Sequence, residues 1–139
     1  MEQVLRYLQE NHARFVQELI DYVRIPSVSA QPQHKPDMQR AAEWIAGKAR
    51  ETGLTPEIIS TSGHPVVLAR TPRRKSKPHY LVYGHYDVQP AEPFDLWKSP
   101  PFEPRLEGKF LYGRGASDNK GQHLAHLRAI EAYLKTGTE

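Results

Sequence analysis

The chain has 139 residues, of which 38% are hydrophobic and 25% are charged, a composition typical of one globular domain with its own core. The absence of cysteine excludes disulfides and thiolate metal sites, so any metal must use nitrogen and oxygen ligands. The net charge of +3 arises largely in one basic cluster, which comprises Arg70, Arg73, Arg74, Lys75 and Lys77. We interpret this cluster as a solvated turn between strands in preference to a site for an acidic partner.

The sequence carries no targeting pattern. Its first fifteen residues include acidic and polar side chains where a signal peptide needs a basic start followed by an apolar run. No apolar segment approaches the length that spans a membrane, and no nucleic-acid-binding motif accompanies the basic cluster. We therefore expect a cytoplasmic protein that binds neither membrane nor nucleic acid.

Two amphipathic helical regions are predicted in the first half of the chain. Apolar residues recur at helical spacing over residues 3–23, with a break near Asn11. Residues 25–36 have three prolines and no periodicity, which predicts a surface loop. The second helix is predicted from Asp37, a suitable N-cap, to Gly53, which suits a left-handed C-cap. Its predicted buried face comprises Met38, Ala41, Ala42, Ile45 and Ala49, with Trp44 on the same side.

The segments that follow predict an α/β fold. Two short β-rich runs, residues 55–60 and 66–70, are joined by a turn in which His64 is structural. Residues 80–84 are apolar on both faces, as in a strand buried at the centre of a helix-flanked sheet. We expect part of a three-layer sandwich, in which a mostly parallel or mixed sheet lies between helices.

A proline-rich segment follows the predicted central strand. Residues 88–108 contain five prolines, which exclude a helix or an interior strand. The aromatic residues of this segment are Phe94, Trp97 and Phe102. They either form the rim of a site or fill the core. Further along the chain, residues 110–112 predict a strand, residues 113–115 a tight turn, and residues 119–135 a helix that Gly137 ends. The buried face predicted for that helix comprises Leu124, Leu127, Ile130 and Leu134.

Three side chains in this region are candidates for a metal site. His85 and Asp87 share one face if the strand continues beyond Gly84, and the carboxylate can then accept the proton of the ring nitrogen that does not bind the metal. The alternative for this pair is a capped strand end without a ligand. Asp118 follows a glycine-rich turn at the start of the last helix, where it is a metal ligand, a helix cap, or both. Ser117 is the other possible cap.

Other chemistries fit the sequence less well. A phosphate-binding loop needs its lysine after the second glycine, whereas Lys120 precedes Gly121 and no hydroxyl follows. A serine nucleophile needs a second glycine that the residues around Ser117 lack, and Ser27 and Ser29 are interpreted as turn residues. For His123 and His126, which lie three apart on the last helix, we favour packing or surface roles over metal binding.

Three motifs bring these candidates together. They are GHYDVQP at residues 84–90, WKSPPFEP at residues 97–104 and LYGRGASDNKG at residues 111–121. In this order they resemble metallopeptidase family M20, and within it the bacterial dipeptidases related to carnosinase. The preceding helices and strands also resemble the N-terminal portion of that family's catalytic domain, to which we assign residues 1–139.

The resemblance implies a role for each matched residue. His85 binds one of two zinc ions, Asp118 bridges both ions, and Asp87 is the catalytic residue that orients His85. In the family the peptide bond after the bridging aspartate is typically cis, which implies a cis bond between Asp118 and Asn119. The implied reaction is hydrolysis of a dipeptide or similar small amide by a metal-activated water.

The resemblance also implies family residues that this sequence does not match. It places the paired glutamates, a further carboxylate ligand, a final histidine ligand and a lid or dimerisation domain after Glu139. We therefore expect a fragment that binds zinc weakly, hydrolyses nothing alone, and self-associates through an open sheet edge, whereas the full-length protein is a homodimer. The alternatives are an M20-type N-acyl-amino-acid deacylase and a non-catalytic module that keeps the peptidase-like sheet.

Overall fold

Four α-helices and two small antiparallel sheets are found in residues 1–137, the part of the chain that the computed structural model describes. The helices are α1 (Glu2–Glu10), α2 (His12–Val23), α3 (Lys35–Thr52) and α4 (Lys120–Thr136). The strands are β1 (Thr55–Ile59), β2 (Val66–Arg70), β3 (Arg105–Glu107) and β4 (Phe110–Tyr112). Single 3₁₀ turns cover Pro32–His34 and Phe94–Leu96.

The break predicted near Asn11 is confirmed, because that residue separates α1 from α2. Its side-chain amide donates to the Tyr7 carbonyl at 2.9 Å, which satisfies an acceptor at the end of α1. Both helices pack on α4. Of their apolar residues, Val4 and Val23 are buried, whereas Leu5 is exposed.

Helix α3 begins at Lys35, two residues before the predicted start. Pro36 suits a first helical turn, where a missing N–H leaves no hydrogen bond unmade, and this moves the start towards the N-terminus. Asp37 lies inside that first turn and pairs with His34 at 2.7 Å and with Arg40 at 2.5 Å. The predicted end at Gly53 is confirmed by its left-handed conformation, with φ of 101°.

The left-handed conformation of Gly53 predicts opposite effects for two Gly-to-Ala substitutions. Gly53→Ala should lower the free energy of unfolding by about 1 kcal/mol, because a Cβ is strained at positive φ although it would meet only a distant Leu134 methyl at 3.9 Å. Gly47→Ala, inside α3 and facing open space, should raise it by about 0.5–1 kcal/mol. Urea denaturation of both variants measures the difference, and equal shifts would contradict the assignment.

The core lies where α3 and α4 meet the first hairpin. Its buried cluster comprises Ala49, Leu54, Leu124 and Leu127, against which Trp44, Ile45 and Ile130 pack while partly exposed. The predicted apolar face of α3 is otherwise buried, but Ile45 keeps some exposure. The prediction that Leu134 is buried is wrong, since it lies in the last turns of α4 and is 44% exposed.

The strands pair as two separate hairpins. Strand β1 is antiparallel to β2, from Thr55 opposite Arg70 to Ile59 opposite Val66. Strand β3, which the sequence analysis missed, pairs with the predicted β4 through a turn at Gly108, whose φ is +60°. The two runs predicted at 55–60 and 66–70 are therefore confirmed to within one residue.

The prediction of a buried central strand at residues 80–84 is wrong. This segment belongs to no sheet, and Tyr80, Leu81 and Tyr83 are 85%, 90% and 81% exposed. An interior strand needs hydrogen-bonded partners along both edges, and the strands within residues 1–137 all pair in the two hairpins. Apolar composition on both faces marks a surface that favours burial, but it does not supply the partners.

Within residues 1–137, no helix is both long enough and apolar enough to cross a bilayer.

Candidate metal centre

The segment that carries His85 and Asp87 is fastened to the loop after α2. Val88 and Val28 form an isolated parallel bridge, and the Val88 N–H donates to the Ser27 carbonyl at 2.9 Å. The Ser27 hydroxyl donates to the Tyr86 carbonyl at 2.6 Å. These contacts join residues about sixty positions apart, so they give the segment a fixed place although it is not a strand.

Asp87 contacts His85 as the sequence predicts. Its Oδ1 atom lies 3.1 Å from Nδ1 of His85, and its Oδ2 atom accepts a hydrogen bond from the Ser29 hydroxyl at 2.6 Å. Ser29 therefore holds the carboxylate in place, a role that the sequence analysis missed when it assigned Ser29 to a turn. Spacing along the chain gives no indication of this contact, since it links positions 58 residues apart.

Asp118 reaches the opposite edge of the same imidazole ring. Its Oδ1 atom lies 3.0 Å from Nε2 of His85, and its side chain is 79% exposed. The preceding turn comes close to the His85 segment because Gly115, at φ of +86°, has no side chain: a Cβ there would lie 2.4 Å from a Val88 methyl. The structure thus brings together the three side chains that the sequence singled out.

The alternative role for Ser117 and Asp118, as helix caps, is not observed. The N-cap of α4 is Asn119, and no side-chain capping hydrogen bond is formed there. The peptide bond between Asp118 and Asn119 is cis, as the resemblance implied.

The two carboxylates around His85 require a cation beside the imidazole ring. A neutral imidazole has one N–H, and a carboxylate only accepts. If Nδ1–H donates to Asp87, the Nε2 lone pair faces an oxygen of Asp118 at 3.0 Å. A cation shared by both atoms, either a proton or a metal ion, satisfies this arrangement. An imidazole nitrogen backed by a carboxylate, together with a second carboxylate, suits Zn²⁺ and similar metals.

The direct ligands are few. Within residues 1–137, no group of three or more histidine, aspartate or glutamate side chains is arranged to hold a metal ion. Asp87 faces the far nitrogen of the ring, so His85 and Asp118 are the two side chains placed to contact a metal directly.

Lys120 fixes the turn from inside the molecule, and sequence reasoning missed it. Its side chain is fully buried, and its ammonium donates to the carbonyls of Tyr22 at 3.0 Å and Ile25 at 2.6 Å. These carbonyls lie at the C-terminal end of α2, where the helix dipole favours a cation. Burial lowers the pKa of Lys120 to about 7. The side chain thereby connects the start of α4 to the end of α2.

The two histidines of α4 occupy different environments. His123 contacts Asn119 through Nδ1 at 3.3 Å and the Tyr22 hydroxyl through Nε2 at 3.1 Å. Burial lowers the pKa of His123 to about 4, so the ring is neutral near pH 7. His126 is exposed. The packing and surface roles favoured from the sequence describe this arrangement.

The aromatic residues of the proline-rich segment divide between the two roles considered for them. Trp97 is half-buried, donates from Nε1 to the Ala91 carbonyl at 2.8 Å, and lies under the guanidinium of Arg114 at 5.2 Å. Phe94 is exposed on the surface, and Phe102 is half-buried. Trp97 therefore helps to fix the segment, while Phe94 faces outwards.

Comparison with solved structures defines the class of protein. Human carnosine dipeptidase 1 superposes with a TM-score of 0.91 and 31% sequence identity, over 99% of this chain and 32% of that protein. The chain therefore has the fold of part of an M20-type peptidase, and the predicted α/β fold class is confirmed.

Sequence comparisons identify the family. The family model for peptidase family M20/M25/M40 matches residues 81–139, which include all three motifs. Cys-Gly metallodipeptidase DUG1 of Candida albicans is 34% identical over 95% of this chain and 30% of its own length. Succinyl-diaminopimelate desuccinylase of Aromatoleum aromaticum is 40% identical over 73% of this chain and 26% of its own length. The chain belongs to the M20 metallopeptidase family, and it spans about a third or less of the relatives it matches.

Proposed function

We propose that this chain contributes to a zinc-dependent hydrolase that cleaves dipeptides. The observation that carries this function is the placement of His85 between Asp87 and Asp118, with a carboxylate oxygen within 3.1 Å of each ring nitrogen. Membership of a metallopeptidase family and the names of dipeptidase relatives support the same chemistry.

Each residue has a separate task in this proposal. His85 offers Nε2 to the metal, and Asp87 accepts the Nδ1 proton, which fixes the tautomer and raises the basicity of Nε2. Ser29 holds Asp87 through the second carboxylate oxygen. Asp118 supplies carboxylate oxygens on the exposed side. A bound zinc pair supplies Lewis acidity toward the scissile carbonyl and lowers the pKa of a water.

We further propose that residues 1–139 form the N-terminal portion of an M20-type catalytic domain. Because His85 and Asp118 are the only direct ligands we assign, and a catalytic zinc usually has about three protein ligands, the isolated chain should bind zinc weakly and show no turnover. A cytoplasmic location, homodimerisation of the full-length protein and self-association of this chain complete the proposal.

Zinc titration of the ¹⁵N-labelled chain, followed by side-chain NMR of the histidines, tests the site. We expect the His85 ring nitrogens to shift selectively, with an affinity weaker than micromolar. Asp118→Asn should abolish the saturable shift, because it removes the charged carboxylate of one of the two direct ligands. His85→Ala assigns the shifting signals, because it removes the ring that gives rise to them. His126→Ala is the matched control, since that histidine is exposed and outside the site.

The outcomes separate the claims. A zinc response confined to other histidines would overturn the metal site. Stoichiometric binding at micromolar affinity or better, or hydrolysis of a dipeptide by the isolated chain, would overturn the proposal that it is inactive alone.

The second candidate is a deacylase that removes an N-acyl group from an amino acid. It is favoured by the 40% identity to the succinyl-diaminopimelate desuccinylase. Assaying the full-length protein with an unblocked dipeptide and with an N-succinyl amino acid distinguishes the two functions. Both substrates need the same metal centre, so the relative turnover reports substrate preference. Faster turnover of the N-succinyl substrate would favour the deacylase.

A further inference from the structure

The side chain of Asn119 does not do what an asparagine at a helix start usually does. An N-cap asparagine normally accepts a hydrogen bond from an N–H in the first turn of its own helix. Asn119 is the N-cap of α4 and makes no such bond. Its Oδ1 atom instead accepts from the backbone N–H of His85 at 3.2 Å, across 34 residues of sequence.

This carboxamide is held in one orientation. The His85 N–H can only donate, so the atom facing it is the oxygen, and Nδ2 then donates to the Gln122 side chain at 2.5 Å. Behind it, His123 Nδ1 lies 3.3 Å from the same oxygen, and Nε2 accepts from the Tyr22 hydroxyl at 3.1 Å. Tyr22 is fully buried and stacks on a tryptophan of α3.

The approach of the two segments depends on Gly84. A Cβ at this position would lie 2.4 Å from Cβ of His123 and 3.0 Å from Oδ1 of Asn119. Both distances are too short for atoms that are not bonded to each other, so the residue before His85 must lack a side chain for Asn119 to reach the His85 N–H.

We propose that Asn119 is a positioning residue that sets the distance between the two metal ligands. Asn119 follows one of these ligands, Asp118, directly in the chain. The Asn119 side chain binds the backbone of the other ligand, His85. A single residue thereby joins the two motifs that carry the site. This inference rests on the proposed metal centre for its purpose, but the contact itself does not.

Three variants of the chain test the contact. Asn119→Ser keeps a good N-cap residue, so α4 should still begin normally, but its shorter side chain does not reach the His85 N–H. We expect amide hydrogen exchange of His85 to become about 5- to 10-fold faster, as for the loss of one hydrogen bond. We expect zinc to bind about 10-fold more weakly, as for loss of a residue that orients a ligand.

Asn119→Asp keeps an acceptor at the same place, so it should leave the His85 amide protected. Gln122→Ala is the matched control, because it removes the partner of Nδ2 and leaves Oδ1 free to accept. It should change neither the exchange rate nor the zinc response. Global stability, measured by urea denaturation, identifies any change that arises from unfolding of the whole chain.

Amide exchange and zinc binding test separate claims. Unchanged His85 exchange in Asn119→Ser would overturn the inference, whatever zinc does. Faster exchange with undiminished zinc binding would also overturn it, because the contact would then be structural only. If zinc does not shift the wild-type His85 ring, the proposed function fails, and exchange alone still decides whether Asn119 holds the segment.

Discussion

Arg128→Met is expected to lower the free energy of unfolding by about 3 kcal/mol at pH 7, near the lower end of the range for breaking a buried ion pair. Arg128 is 3% exposed and Glu131 is 4% exposed, so removing the guanidinium leaves carboxylate charge with little access to water. Methionine has a similar length and fills most of the space. The loss therefore arises mainly from charge rather than from a cavity.

The surrounding contacts explain why the loss should not be larger. Arg128 donates to Glu131 through Nη1. Its Nε lies 2.9 Å from Oε2 of Glu18, near enough for the two charges to attract, although the geometry is not that of a hydrogen bond. Glu131 also accepts from Arg14 at 2.5 Å and from the Tyr7 hydroxyl at 2.7 Å. These partners remain in Arg128→Met and compensate part of the uncovered charge.

The same network predicts the pH dependence. Burial alone would raise the pKa of Glu131, but its hydrogen bonds from Arg14, Tyr7 and Arg128 outweigh burial and lower that pKa below the ordinary 4.5. A carboxylate with a lowered folded pKa contributes stability above its unfolded pKa and loses it as pH falls through the folded value. The difference between wild type and Arg128→Met should therefore shrink below about pH 4.

An exposed ion pair provides the control. Arg70 and Glu57 form a pair at 3.3 Å whose side chains are both more than half exposed. Arg70→Met should change stability by less than about 0.5 kcal/mol. Urea denaturation of both variants at pH 7 and pH 3 provides the comparison. Equal effects of the two substitutions would show that the buried network does not stabilise the fold.

The helices could be predicted from the sequence because their determinants are local. Periodic apolar residues locate α1 to α4, and Gly53 and Gly137 end α3 and α4 in left-handed conformations. The segment at residues 80–84 could not be assigned in this way. Its composition predicts burial, whereas strand formation depends on partners far away in sequence, and these are not found within residues 1–137.

The residues of the site also differ in how far they could be predicted from the sequence. His85, Asp87 and Asp118 lie in short motifs, so residue type and spacing make them candidates, and the resemblance to family M20 implies their roles. The residues that hold them in place could not be predicted in this way. Ser29 reaches Asp87 from the loop before α3, and Lys120 reaches back to the end of α2. Such contacts depend on how separate elements pack, and single-residue patterns do not encode them.

Gly121→Ala is expected to destabilise the chain by about 2 kcal/mol, because two opposing effects differ in size. Alanine favours a helix over glycine by about 1 kcal/mol, and Gly121 lies in the first turn of α4. However, a Cβ at this position would lie 2.2 Å from the carbonyl oxygen of Ala116. Overpacking of this kind costs up to about 3 kcal/mol, and here the obstacle is backbone, which cannot rotate away.

The turn that would have to move is the one that carries Asp118, so the substitution should also weaken the zinc response of His85. Gly47→Ala is the matched control, since it gives the same helix preference with nothing within 4 Å. Urea denaturation and the zinc titration together measure both effects. A Gly121→Ala chain as stable as Gly47→Ala would mean that the turn yields easily. In that case the close contact with Ala116 would not be what fixes Asp118 beside His85.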